Sequence, residues 1–111
     1  MRILILANND IGLYNFRKEL IERLVEEKNE VFISLPNGER IKDLRNLGCE
    51  FIETNIDRRG TNPIKDFKLI LKYNRIVKKL KPDVVLSYTI KPNIYGGLVC
   101  RLLKIPYVAN I

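Results

Sequence analysis

Two short polar stretches hold the side chains best suited to chemistry. One reads Asn8-Asn9-Asp10-Ile11-Gly12, the other Ser87-Tyr88-Thr89-Ile90-Lys91-Pro92-Asn93. In the second, Tyr88 and Thr89 offer hydroxyls and Lys91 an ammonium, donors that suit a sugar or a phosphate. The plain alternative is a surface loop with one solvated lysine. In the first, Gly12 stands just before a helix-like run whose unpaired N–H groups can face an anion. Asn8, Asn9 and Asp10 suit capping and turning equally well. Capping is favoured for Asp10, because a carboxylate repels a phosphate. Arg17 can reach the same region, but it reads more simply as a solvent-facing arginine opposite Glu19, Glu22 and Glu26.

What is missing narrows the chemistry. The first stretch lacks the GxGxxG that lets a backbone approach a pyrophosphate, and no GxxxxGK[ST] occurs anywhere. Ser34 and Leu35 stand where a ribose-binding acid belongs at the end of a second strand. These features argue against a dinucleotide oxidoreductase and a nucleoside triphosphatase. The chain has no histidine, so this segment supplies no imidazole base. Its two cysteines, Cys49 and Cys100, form neither a disulfide framework nor a metal site and read as small buried apolar residues.

The elements that must position the two stretches follow from periodicity. Apolar runs predict strands over residues 2–7, 30–35, 49–53, 84–86 and 105–111. Leu13, Phe16, Leu20, Leu24 and Val25 trace a first helix, and Ile41, Leu44 and Leu47 a short second one stopped by Gly48. Ile64, Phe67, Ile70, Leu71, Val77 and Leu80 trace a long third helix, and a fourth runs over residues 92–103. Pro92 fits its first turn. Gly96 and Gly97 each cost that helix about 1 kcal/mol relative to alanine, which points to close helix–strand packing. Strands alternating with helices five times predict a three-layer Rossmann-like α/β domain. Right-handed crossovers give a parallel sheet of order 3-2-1-4-5. The order reverses between strands 1 and 4, so the loops 8–12 and 87–92 border one crevice at the carboxyl ends of those strands.

The 111 residues make one domain. No apolar run approaches the ~20 residues a bilayer span needs, and residues 3–7 are too short for a signal-peptide core. The expected location is therefore cytoplasmic. The net charge of +7 is unevenly distributed. Residues 1–57 hold 8 basic and 11 acidic side chains, net −3, while residues 58–111 hold 12 and 2, net +10. Arg58, Arg59, Lys65, Lys68 and Lys72 lead this basic half and form a candidate anionic-membrane face. Nucleic acid would satisfy the same charge, but no helix-turn-helix, RNP-like strand or zinc spacing supports it.

The segments ILILANNDIGLYNFRKELI, YTIKPNIYG and KIPYVANI together resemble the N-terminal domain of bacterial family-4-type (GT-B) glycosyltransferases, the capsular and exopolysaccharide group among them. The likeness runs over nearly the whole chain. It implies two Rossmann-like domains, of which residues 1–111 would be the acceptor-side one and the C-terminal donor domain would be absent. Ending on an apolar strand, the sequence reads as a fragment. The implied reaction moves a sugar, with retention, from a nucleotide-sugar donor to a polyprenyl-diphosphate-linked or saccharide acceptor, without a metal or other cofactor. Under this resemblance the candidate binding residues are Asn9, Gly12, Tyr88, Thr89, Lys91 and Asn93, at the inner face of the plasma membrane. The family's loop after strand 1 is often richer in glycine than the one here. Two other classes stay open: half of a nucleotide-sugar epimerase, and a non-catalytic α/β module for anionic membranes or nucleic acid.

Overall fold

The computed structural model describes residues 1–57 and 60–110. Five strands, β1 (Arg2–Leu6), β2 (Glu30–Leu35), β3 (Glu50–Glu53), β4 (Val84–Tyr88) and β5 (Tyr107–Asn110), form one sheet of order β3-β2-β1-β4-β5. Every pairing is parallel, as the alternation of strands and helices requires. The connections are α1 (Asp10–Glu26), α2 (Ile41–Asn46), α3 (Pro63–Leu80) and a π-helical turn (Pro92–Gly96) running into α4 (Gly97–Leu103). Gly48, at φ +109°, closes α2 in the left-handed region, which favours glycine.

Side-chain alternation along β1 divides the core in two. Ile3, Ile5 and Ala7 face the α1–α2 layer with Val31, Ile33 and Leu35. Leu4 and Leu6 face the α3–α4 layer with Phe32, Val85, Leu69 and Tyr73. Gly96 lies so close to Leu6 that a side chain there would meet it, and a Cβ on Gly97 would come within 3.2 Å of Tyr107. The two glycines thus let the last helix settle onto the sheet, as expected. Cys49 and Cys100 are buried free thiols, and burial pushes both up to about 11.

Three expectations need correction. Phe16 is 76% exposed and Leu20 37%, so neither is core; Ile21, fully buried, points inward instead. On a 3.6-residue helix, the face set by Leu13, Ile21 and Leu24 turns Phe16 aside by roughly a quarter of a turn. On α3, Ile64, Phe67 and Leu71 are exposed, while Leu69, Tyr73, Ile76 and Val77 are buried. That helix carries apolar residues around more than half its circumference, and the sheet takes the stripe holding its one tyrosine. Finally, α1 begins at Asp10, so Gly12 lies inside the first helical turn rather than in a loop before it.

Candidate functional site

β1 and β4 lie side by side, Leu6 opposite Ser87, and their carboxyl ends open into a cleft of about 470 Å³. Its β1 side is Ala7, Asn8 and Asn9, continued by Ile11, Gly12, Leu13, Phe16 and Arg17 of α1. Its other side is Tyr88 and Thr89, with Asn110 at the end of β5. The crevice thus lies where the strand order reverses. Asn9 is the N-cap of α1; its Oδ1 accepts the Gly12 N–H at 3.0 Å. Asp10 does not cap α1. It is nearly buried and its Oδ2 accepts the Arg40 N–H at 2.7 Å, bracing the turn into α2 from below.

The second wall is set by backbone geometry. Thr89 adopts φ +73°, a left-handed conformation that is costly for a β-branched residue, of order 1–3 kcal/mol. Its hydroxyl donates to the Tyr88 carbonyl. The Tyr88 ring lies under Arg17, whose guanidinium carbon is 4.8 Å from the ring centroid. Burial raises the Tyr88 phenol above its ordinary value, with the Arg17 charge pulling the other way. At neutral pH the phenol is therefore a protonated donor.

Two of the six sequence-derived candidates do not line the cleft. The chain turns helical directly after Thr89, so Lys91 sits on a helical turn and reaches sideways to α3. Its ammonium, 13% exposed, pairs with Asp66 Oδ1 at 2.7 Å and donates to the carbonyls of Gly60, at 3.0 Å, and Asp57. Three donors meet three acceptors, so none is left for a ligand. Tyr95 completes the cluster, its hydroxyl donating to Asp66 Oδ2 at 2.9 Å. Asn93 is likewise turned inward. Its Oδ1 accepts from Ser87 Oγ and its Nδ2 donates to the Asn110 carbonyl, each at 2.7 Å. It ties the ends of β4 and β5 together.

Asn9, Gly12, Tyr88 and Thr89 do come together. Sequence reasoning assigned Phe16 to the core, weighed Arg17 but preferred a solvent-facing reading of it, and left Asn110 unremarked. The one available signal was that Arg17 follows Gly12 by a little over one helical turn.

The basic residues Lys65, Lys68 and Lys72 border a groove of about 320 Å³ between the end of β3 and α3. Lys65 approaches Asp57 at 3.6 Å. Arg58 and Arg59, named with them from the sequence, lie outside the described residues. Beside this face, on the outer side of α3, stand the exposed Ile64, Phe67 and Leu71. Among the described residues no helix is long and apolar enough to cross a membrane.

Comparison with known proteins adds chemistry to this geometry. A family model described as glycosyl transferase 4-like matches residues 2–111. A curated relative, the N,N'-diacetylbacillosaminyl-diphospho-undecaprenol alpha-1,3-N-acetylgalactosaminyltransferase of Campylobacter jejuni, is 34% identical over 107 residues. The match covers 96% of this chain and 28% of the relative. Among solved structures, MurG of Acinetobacter baumannii is similar at TM-score 0.75 and 24% identity, over 97% of this chain and 33% of that one. A glycosyltransferase of Rickettsia africae reaches 0.82 at 19% identity, over 99% and 29%. The UDP-GlcNAc 2-epimerase of Neisseria meningitidis reaches 0.71 at 15%, over 98% and 32%. These three share the fold. The chain spans about a third or less of the length of each relative.

Proposed function

We propose, from the premise that this chain belongs to the glycosyl transferase 4-like family, that residues 1–111 form the N-terminal, acceptor-side domain of a two-domain GT-B glycosyltransferase. A second α/β domain would bind most of the nucleotide-sugar donor. The reaction moves a sugar, with retention, to an acceptor carried on a polyprenyl diphosphate, in surface-polysaccharide synthesis. The observation that carries this reading is the 34% identity, over 96% of the chain, to an enzyme whose own acceptor is a diphospho-undecaprenol saccharide. The cleft fits such a role: amide and phenol donors at the carboxyl ends of β1 and β4, with the Thr89 hydroxyl oxygen as an acceptor, suit the orientation of an acceptor hydroxyl. Stabilising the departing diphosphate would fall to the donor domain, an electrostatic task that calls for no metal or other cofactor here. The basic residues around α3 would hold the enzyme on the inner, anionic face of the plasma membrane, with Arg58 and Arg59 adding to them.

The test is sugar transfer by the whole polypeptide carrying this chain. It is incubated with nucleotide sugars and a short prenyl-diphosphate-linked saccharide, and products are identified by mass spectrometry. A lengthened lipid-linked saccharide is expected, and residues 1–111 alone should give none. An epimerised nucleotide sugar in place of a transfer product would favour the second reading, a nucleotide-sugar 2-epimerase. Two such enzymes share this fold, at TM-scores of 0.71 and 0.69.

A further inference from the structure

Among the described residues that line the cleft, Arg17 is the sole cation, and no acid is among them. Among the described residues no carboxylate makes an ion pair with it. Its guanidinium carbon lies instead 4.8 Å from the centroid of the Tyr88 ring, and among the described residues none of its N–H groups makes a hydrogen bond. A half-buried guanidinium with its fork free suits an oxyanion that can take two parallel hydrogen bonds, as a phosphate does.

The outer lip of the cleft is apolar. Ile11 and Phe16 line it at 41% and 76% exposure, and Leu20, at 37%, follows Phe16 by four residues on the same face of α1. A single exposed phenylalanine means little. Phe16 and Leu20, neighbours on one face of α1 beside the Arg17 cation, match one kind of ligand, an anionic headgroup whose aliphatic tail leaves the pocket along a helix.

We propose that Arg17 is the acceptor-selecting residue of this cleft: it pairs with the diphosphate of a prenyl-diphosphate acceptor, while Phe16 and Leu20 support the first part of the prenyl chain. This rests on the transferase reading above and deepens it, because it gives the lipid diphosphate, rather than the saccharide, as the part recognised here.

The experiment is a titration of the 111-residue protein with geranyl diphosphate, geraniol, inorganic diphosphate and uridine diphosphate. Binding is followed by calorimetry and by amide chemical shifts. Geranyl diphosphate should bind most tightly and shift the amides of Ile11, Gly12, Phe16 and Thr89. Arg17→Met should weaken it about tenfold or more, the usual consequence of losing a hydrogen bond to a charged group, and should leave the weak binding of geraniol unchanged. Arg17→Lys, which keeps the charge but loses the fork, should fall between, and stands in if Arg17→Met does not fold. Phe16→Ser should bring geranyl diphosphate down towards inorganic diphosphate. Equal affinity of wild type and both Arg17 variants would overturn the proposal. So would shifts confined to α3, or uridine diphosphate displacing geranyl diphosphate from the same amides with higher affinity. The two readings fail separately. If the whole enzyme elongates a water-soluble saccharide and Arg17→Met does so equally well, the transferase reading stands and this one falls.

Discussion

Tyr73 is the clearest case in which a single side chain works against its surroundings. It is fully buried between α3 and the sheet, and its hydroxyl has no hydrogen-bond partner among the described residues. Burial raises its phenol far above the ordinary value, so the group is neutral at any working pH. A hydroxyl that leaves water and finds no partner costs roughly 1–3 kcal/mol. Tyr73→Phe removes that cost while keeping the ring, so it should raise stability by about 1 kcal/mol, seen as a higher urea midpoint at unchanged slope. A lower midpoint would mean that the hydroxyl is satisfied after all. The same scale shows where sequence stops informing. Residue type suggested that Tyr88, Thr89 and Lys91 offer hydrogen-bond donors. Type does not say which way a donor points, and Lys91 spends all three of its own on Asp66 and two carbonyls.

At the scale of elements, that lysine becomes a brace. It joins the helical turn after β4 to the first turn of α3 and to the segment before α3, close behind the cleft wall. Hydrogen bonds from Lys91 and then Tyr95 hold the Asp66 carboxyl below its ordinary value. A carboxyl depressed in the folded state adds stability that is fully present above its unfolded value, about 3.9, and is lost as pH falls through the lower folded value. Wild-type protein should therefore lose more stability than Asp66→Asn as pH falls below about 4, measured by urea unfolding at each pH. Parallel pH curves for the two proteins would show that the brace is not coupled to folding. Lys91→Met should lower the urea midpoint at pH 7, because it leaves Asp66 with Tyr95 as its one side-chain partner. Strand and helix order, and most element bounds, were legible because β-branched runs and breakers such as Pro36-Asn37-Gly38 mark them locally. The rotational setting of α1 and α3 was not. It is decided by which of two apolar stripes the sheet accepts, and only tertiary packing makes that choice.

At the scale of the whole molecule, the misread stripe on α3 has a consequence of its own. A helix that follows a strand in a parallel sheet starts at the carboxyl end of that strand, so the first half of α3 lies at the same end of the domain as the cleft. There, Ile64, Phe67 and Leu71 are 67%, 52% and 46% exposed, beside Lys65, Lys68 and Lys72. Apolar side chains flanked by lysines form the pattern of a helix lying in a lipid interface. The −3/+10 division of charge along the sequence brings most of the protein's positive charge into this half. Cosedimentation with vesicles should show binding to anionic phosphatidylglycerol mixtures and little to neutral phosphatidylcholine, weakening as salt rises. Each basic residue near the lipid contributes about 1 kcal/mol, so Lys68→Ser with Lys72→Ser should lower the partition constant by roughly 30-fold. Phe67→Ser should lower it on anionic vesicles without changing the salt dependence, since it removes apolar contact and no charge. Equal binding to neutral and anionic vesicles would dismiss the electrostatic part, and an inert Phe67→Ser the apolar part. If both hold, the cleft opens at the end of the domain that meets the membrane, where a lipid-borne acceptor can reach it without leaving the bilayer.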